Sequence, residues 1–136
     1  MKSQDALSRL KRFDVEEKQR KVSEIEAMIG DFHQMATDLD RQIAIEQERA
    51  GVSDTNHYAY PTFAKAAIQR RDNLLASAAD LEVRLASARE TLAEAFDELK
   101  RIELLEERDA ERIKIEQARA ELGSVAGVST AWQVRR

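Results

Sequence analysis

Two histidines, His33 and His57, are the side chains of this 136-residue chain whose type best suits metal binding or proton exchange near neutral pH. They stand far apart in sequence, and neither has a second histidine at the i, i+4 spacing that lets one helix face present two imidazoles to an ion. Both therefore read as solvated or seam-edge residues. Asp38 and Asp40 are close, but two positions on a helix separate them onto different faces, so they do not form a paired-carboxylate acid–base site. There is no cysteine, hence no disulfide framework, thiolate metal site or cysteine nucleophile, which fits a reducing compartment. Neither GxxxxGKS, GxxxxGKT nor GxGxxG occurs, so the chain is not expected to bind ATP itself. Arg70 and Arg71 read as solvated helix charges. These residues predict no enzyme, no catalytic site, no cofactor and no metal.

What could be positioned, and by what, follows from the stretch GVSDTNHYAYPT, Gly51 to Thr62. Gly51 tolerates the positive φ that ends a helix. Ser53, Asp54, Thr55 and Asn56 compete for backbone N–H groups and favour turns. Pro61 fixes its own φ and pushes Tyr60 out of the α region, so an uninterrupted helix through both would cost about 3 kcal/mol. Pro61 suits only the first turn of a new helix. The stretch reads as an elbow between two helices.

On either side the apolar residues recur at alternating spacings of three and four, the a/d pattern of a coiled-coil seam. The first stripe is Val22, Ile25, Ile29, Phe32, Ala36, Leu39 and Ile43. Upstream the phase slips, because Leu7, Leu10 and Phe13 do not extend a register that falls on Val15 and Lys18. The second stripe is Leu74, Ala78, Leu81, Leu85, Ala88, Leu92, Ala95, Leu99 and Ile102. Beyond it the register decays through Glu106 and Asp109, and Gly123 and Gly127 are expected to end the helix. The expected fold is all-α, two long helices in one antiparallel coiled-coil hairpin. Helix 1 spans about 3–50, the elbow 51–61, helix 2 about 62–122, and a flexible tail with Trp132 spans 123–136. Folding about the elbow predicts Ile43 near Leu74 or Ile68, Ile29 near Leu85, and Leu10 near Ile102.

Charged residues make up 35% of the chain and aromatics 5%, too little apolar bulk for a thick core but enough for a narrow seam. The net charge of −4 argues against general nucleic-acid binding. MKSQDALSRLKRF lacks the apolar core of a secretory signal, and no run approaches the roughly 20 apolar residues that span a bilayer. A cytoplasmic protein without direct membrane insertion is expected. Residues 1–21 hold seven basic against four acidic side chains and residues 112–136 hold five against two, whereas 22–50 and 76–111 are acidic. An antiparallel hairpin would gather the two basic ends at one pole, with a smaller basic patch at Lys65, Arg70 and Arg71. Phe63, Ala67, Arg70 and Leu74, at i, i+4, i+7 and i+11, share one face just past the elbow. They either cap the hairpin core or form a docking face.

LSRLKRF at the start, HYAYPTF at the elbow and AKAAIQRRDNLL after it resemble the FliJ family of flagellar export proteins, most closely its alphaproteobacterial members and over essentially the whole chain. The resemblance implies a two-helix coiled coil like that of the rotary ATP synthase gamma subunit. It implies a non-enzymatic, stalk-like component of the flagellar type III export apparatus, cytoplasmic at the flagellar base. Its partners would be a hexameric FliI-like export ATPase, a FlhA-like export gate protein and export chaperones. Carried over by position, the gate-binding residues are Phe63, Ala67, Arg70 and Leu74, where Arg70 replaces a small apolar residue of the family pattern. The ATPase ring would meet the basic pole, at Arg9, Lys11, Arg12, Arg112, Lys114 and Arg119. A hairpin-shaped holdase chaperone, carried by elbow aromatics Tyr58, Tyr60 and Phe63, and a generic coiled-coil scaffold are the alternatives.

Overall fold

The computed structural model describes the backbone of residues 2–134 and the side chains of residues 5–127. Two helices, α1 (Lys2–Ala50) and α2 (Thr62–Val134), are joined by the elbow, and the described residues contain no strand. The fold is the antiparallel helical hairpin that the paired stripes predict. It divides into two compact units, one of Glu16–Glu94 and one of Met1–Val15 with Ala95–Arg136.

The unit Glu16–Glu94 contains the elbow and the apolar seam. Gly51 takes φ 67°, and its N–H donates to the Gln47 carbonyl at 2.9 Å, closing α1. Asp54 Oδ1 then accepts from the Asn56 N–H at 2.9 Å, and the Tyr60 N–H donates to the His57 carbonyl at 3.0 Å. The Pro61 carbonyl accepts the first bond of α2, from the Lys65 N–H at 3.1 Å. Pro61 thus stands at the N-cap, one position ahead of the expected first turn, where its missing N–H costs nothing. Val22, Ile25, Ile29, Leu81 and Leu85 form one buried cluster, with Phe32, Ala88 and Leu92 packed on it, which places Ile29 with Leu85 as the spacing predicts. Each buried Leu or Ile contributes about 1.5–3 kcal/mol. Ala36, Ala64, Ala67 and Ala78 are buried too and contribute less, but their small side chains keep the seam thin.

In the other unit the seam turns polar without losing phase. Ser8 and Val15 are buried and Lys11 half-buried, so the inward positions keep the alternating spacing of three and four, while Leu7, Leu10 and Phe13 are 42%, 62% and 58% exposed. The expected slip is therefore a change of residue type at fixed register, and Leu10 faces outward instead of meeting Ile102. On α2 the same spacing continues through Ala95, Leu99, Ile102, Glu106, Asp109 and Ile113, all buried or half-buried. Ser8 Oγ and Glu106 Oε1 are buried without a hydrogen-bond partner among the described residues, so this seam is held less firmly than an apolar one. The helix end expected at about 122 is also corrected, since α2 runs through Gly123 and Gly127 to Val134. Each glycine costs about 1 kcal/mol against alanine, far less than proline, and no proline follows to stop the helix. The side chains of Trp132 and of Lys2, Arg135 and Arg136, which are counted in the two basic ends, lie outside the described residues.

Candidate partner-binding surfaces

The six basic residues assigned to one pole lie in the unit of Met1–Val15 and Ala95–Arg136, but the pairing register separates them. Lys11 Nζ donates to Glu98 Oε2 at 2.7 Å, which sets Arg9, Lys11 and Arg12 beside the stretch around Glu98 and not beside residues 112–136. Arg112 lies 14 residues beyond Glu98, about 21 Å along the helix, and Arg119 about 32 Å. The physical reason for this correction is that α2 outlasts α1, so the two basic segments cannot coincide. Lys11 is committed to Glu98, whose hydrogen bond and then its charge raise the Lys11 pKa above the ordinary 10.5. Arg112 pairs with Asp109 at 3.4 Å. Arg9, Arg12, Lys114 and Arg119 make no ion pair among the described residues. From Lys114 to Val125 every residue is exposed, so no helix among the described residues covers this part of α2.

The four residues past the elbow, in the unit Glu16–Glu94, do not form a single exposed face. Ala67 is buried and Leu74 half-buried, while Phe63 (58%) and Arg70 are exposed. A face of i, i+4, i+7 and i+11 spans enough arc for the seam to take one edge and leave the other to solvent. The aromatic that closes the core is Tyr60, 5% exposed, whose hydroxyl accepts from Gln47 Nε2 at 2.9 Å. Of the three aromatics that favoured a holdase tip, only Tyr58 (96%) and Phe63 remain exposed. The residue carrying the core role was missed because Tyr60 precedes the proline and so lies outside any helical stripe.

His57 serves the elbow: its Nδ1 accepts from the Ala59 N–H at 3.0 Å and its ring stacks on Tyr58 at 4.6 Å. His33 contributes its carbonyl to Thr37 Oγ1 at 2.9 Å. Asp38 pairs with Arg41 on its own helix, and Asp40 with Arg71 at 2.9 Å across the seam. Hydrogen bonds to Asp40 and then Asp72 raise the Arg71 pKa, and the two carboxylates partner a guanidinium that stands at a seam position. No group of three or more His, Asp or Glu among the described residues could hold a metal ion. No described helix is long and apolar enough to cross a membrane.

Sequence reasoning also missed two open cavities in this unit. One of about 460 Å³ is lined by Lys21, Met28, Leu81, Arg84 and Thr91 among others, and one of about 200 Å³ by Met35, Asp38, Leu39, Gln42, Arg70 and Leu74. The seven-residue spacing of Lys21, Met28, Met35 and Gln42 was the available signal. These features define an antiparallel coiled-coil hairpin that presents surface grooves and, from Lys114 to Val125, a fully exposed helical segment. Comparisons with family models, curated proteins and solved structures find no match to the chain.

Proposed function

We propose that the chain is a non-enzymatic, stalk-like component of the flagellar type III export apparatus. In this reading it couples a hexameric FliI-like ATPase to a FlhA-like export gate and assists in handling export chaperones. The observation that carries the reading is the stretch of α2 from Lys114 to Val125, exposed all round and bearing Lys114 and Arg119 without ion pairs among the described residues. A single helix of this kind is narrow enough to enter the central hole of a ring, and its cations suit an acidic lining. The hairpin fold and the resemblance of the LSRLKRF and HYAYPTF blocks support the same reading. Ring contact falls to Arg9, Arg12, Lys114 and Arg119, because Lys11 and Arg112 are held by carboxylates of the chain itself. Gate contact falls to Phe63 and Arg70, the exposed pair of the four residues past the elbow.

The test is ATP hydrolysis by the hexameric export ATPase with and without the full chain. Stimulation is expected to weaken with salt, since the Debye length is about 10 Å at 0.1 M and shorter above it. It is expected to be lost when Arg9, Arg12, Lys114 and Arg119 are all changed to Glu. Stimulation that survives this reversal undiminished refutes the reading.

A further inference from the structure

Within the unit Glu16–Glu94 the two flanks of the seam differ. One flank is closed by contacts between the helices: Arg89 Nη2 to Glu26 Oε2 at 4.0 Å, Arg71 Nη1 to Asp40 Oδ1 at 2.9 Å, and Gln47 Nε2 to the Tyr60 hydroxyl at 2.9 Å. The other flank carries Lys21, Met28, Met35 and Gln42 on α1 and Arg70, Arg84 and Thr91 on α2, rows built on a spacing of seven. That spacing keeps each row on one side of its helix in a coiled coil. Both cavities open on this flank, one floored by the buried Ile25 and Leu81 and the other beside Leu39 and Leu74. Met28 and Met35 are each 47% exposed over them.

Charge distinguishes this flank further. Lys21, Arg70 and Arg84 make no ion pair among the described residues, in a chain whose net charge is −4. The one carboxylate lining either cavity, Asp38, is already engaged by Arg41 and by Gln34 Nε2. The flank therefore combines cations outside any ion pair among the described residues, two adaptable thioethers and an apolar floor.

We propose that this flank is a docking groove for an acidic amphipathic helix of a partner protein, which lies along α1 and α2 as a third strand. Met28 and Met35 are two coiled-coil turns apart, about 10.5 Å, which matches apolar side chains at i and i+7 of an incoming helix. Methionine reshapes to fit such side chains without a fixed complementary surface. Carboxylates flanking the partner's apolar stripe meet Lys21, Arg84 and Arg70. A second copy of this chain fits poorly, because a two-fold contact through the groove sets these cations against themselves. The inference uses neither the four ring-contacting cations nor Phe63; it shares Arg70 with the gate contact, but Lys21 and Arg84, the pair reversed in its test, have no part in the export reading.

The probe is a fluorescent three-heptad peptide with Leu at a and d and Glu at e and g, which repels its own copies, beside a twin with Lys in place of Glu. Anisotropy with the full chain is expected to show binding of the Glu peptide only. Binding is expected to weaken about tenfold on Lys21→Glu with Arg84→Glu, and as salt rises from about 0.05 to about 0.3 M. Arg89→Glu, on the closed flank, is expected to leave binding unchanged. All three positions are exposed, so the variants are expected to keep the wild-type melting curve. The proposal is overturned if the Glu peptide does not bind at about 100 µM chain, a weak limit for a specific contact. Equal binding to the reversed variant, or equal binding of the Lys twin, overturns it too. Sedimentation showing a wild-type dimer that Met28→Glu returns to monomer would assign the groove to a second copy and likewise overturn it.

Discussion

Tyr60 and Phe63 stand three residues apart across the start of α2, yet the structure gives them opposite work, and that contrast can be measured. Tyr60 is 5% exposed and its hydroxyl accepts from Gln47 Nε2 at 2.9 Å, so it ties the end of α1 to the entry of α2. Removing the ring by Tyr60→Ala takes away a buried aromatic and leaves a cavity, a loss of about 3–5 kcal/mol. Tyr60→Phe keeps the ring and removes one hydrogen bond, and Gln47 is only half-buried, so about 0.5–1.5 kcal/mol is expected. Phe63 is 58% exposed, and Phe63→Ala is expected to cost under about 1 kcal/mol. Thermal unfolding followed by far-ultraviolet circular dichroism separates these values, because 1 kcal/mol shifts Tm by about 3–5 °C in a chain of this size. A double-mutant cycle of Tyr60→Phe with Gln47→Leu is expected to return a coupling of about 1 kcal/mol. If Phe63→Ala destabilises as much as Tyr60→Ala, Phe63 closes the core and the reasoning fails. If Phe63→Ala instead spares the melt and weakens binding to the cytoplasmic part of an export gate, the docking role is supported.

The same substitution is expected to act with opposite sign at two glycines. An added Cβ meets nothing within 4 Å at either Gly30 or Gly51, so only backbone conformation decides. Gly30→Ala, inside α1, is expected to stabilise by about 0.5–1 kcal/mol, and Gly51→Ala, at φ 67°, to destabilise by about 1 kcal/mol, both read from melting curves. For the Lys11–Glu98 pair, the folded-state pKa of Lys11 is raised, so its stabilisation is fully present below 10.5 and is lost as pH rises through the raised value. Wild type is expected to melt above Glu98→Gln at neutral pH and the two curves to converge in strong alkali; a gap that persists there refutes the pairing.

The elbow was legible because its causes are local. Gly51, Asp54 and Pro61 act through their own dihedrals and nearest hydrogen bonds, which do not depend on a distant partner. The seam from Val22 to Ile43 and from Leu74 to Ile102 was legible for a related reason, since large apolar residues at alternating three and four spacing can be buried together on one helix face only. Those local rules stop where the inward residues are polar. Ser8 and Lys11 hold the register only because α2 lies opposite, whereas apolarity alone pointed to Leu7, Leu10 and Phe13, which the structure leaves in solvent. Charge counted by segment likewise gathered six cations at one pole. Pairing of Lys11 with Glu98 and the greater length of α2 spread them along the helix. Which flank of the seam stays open also required both helices at once, because Lys21, Met28 and Arg84 become a groove only when the two rows face the same side. Helix, turn and apolar stripe follow from nearest-neighbour sterics and periodicity and were set by the sequence by itself. Inward or outward placement of polar residues, the partner of each charge and the open flank depend on what lies across the seam, and only the tertiary structure decided them.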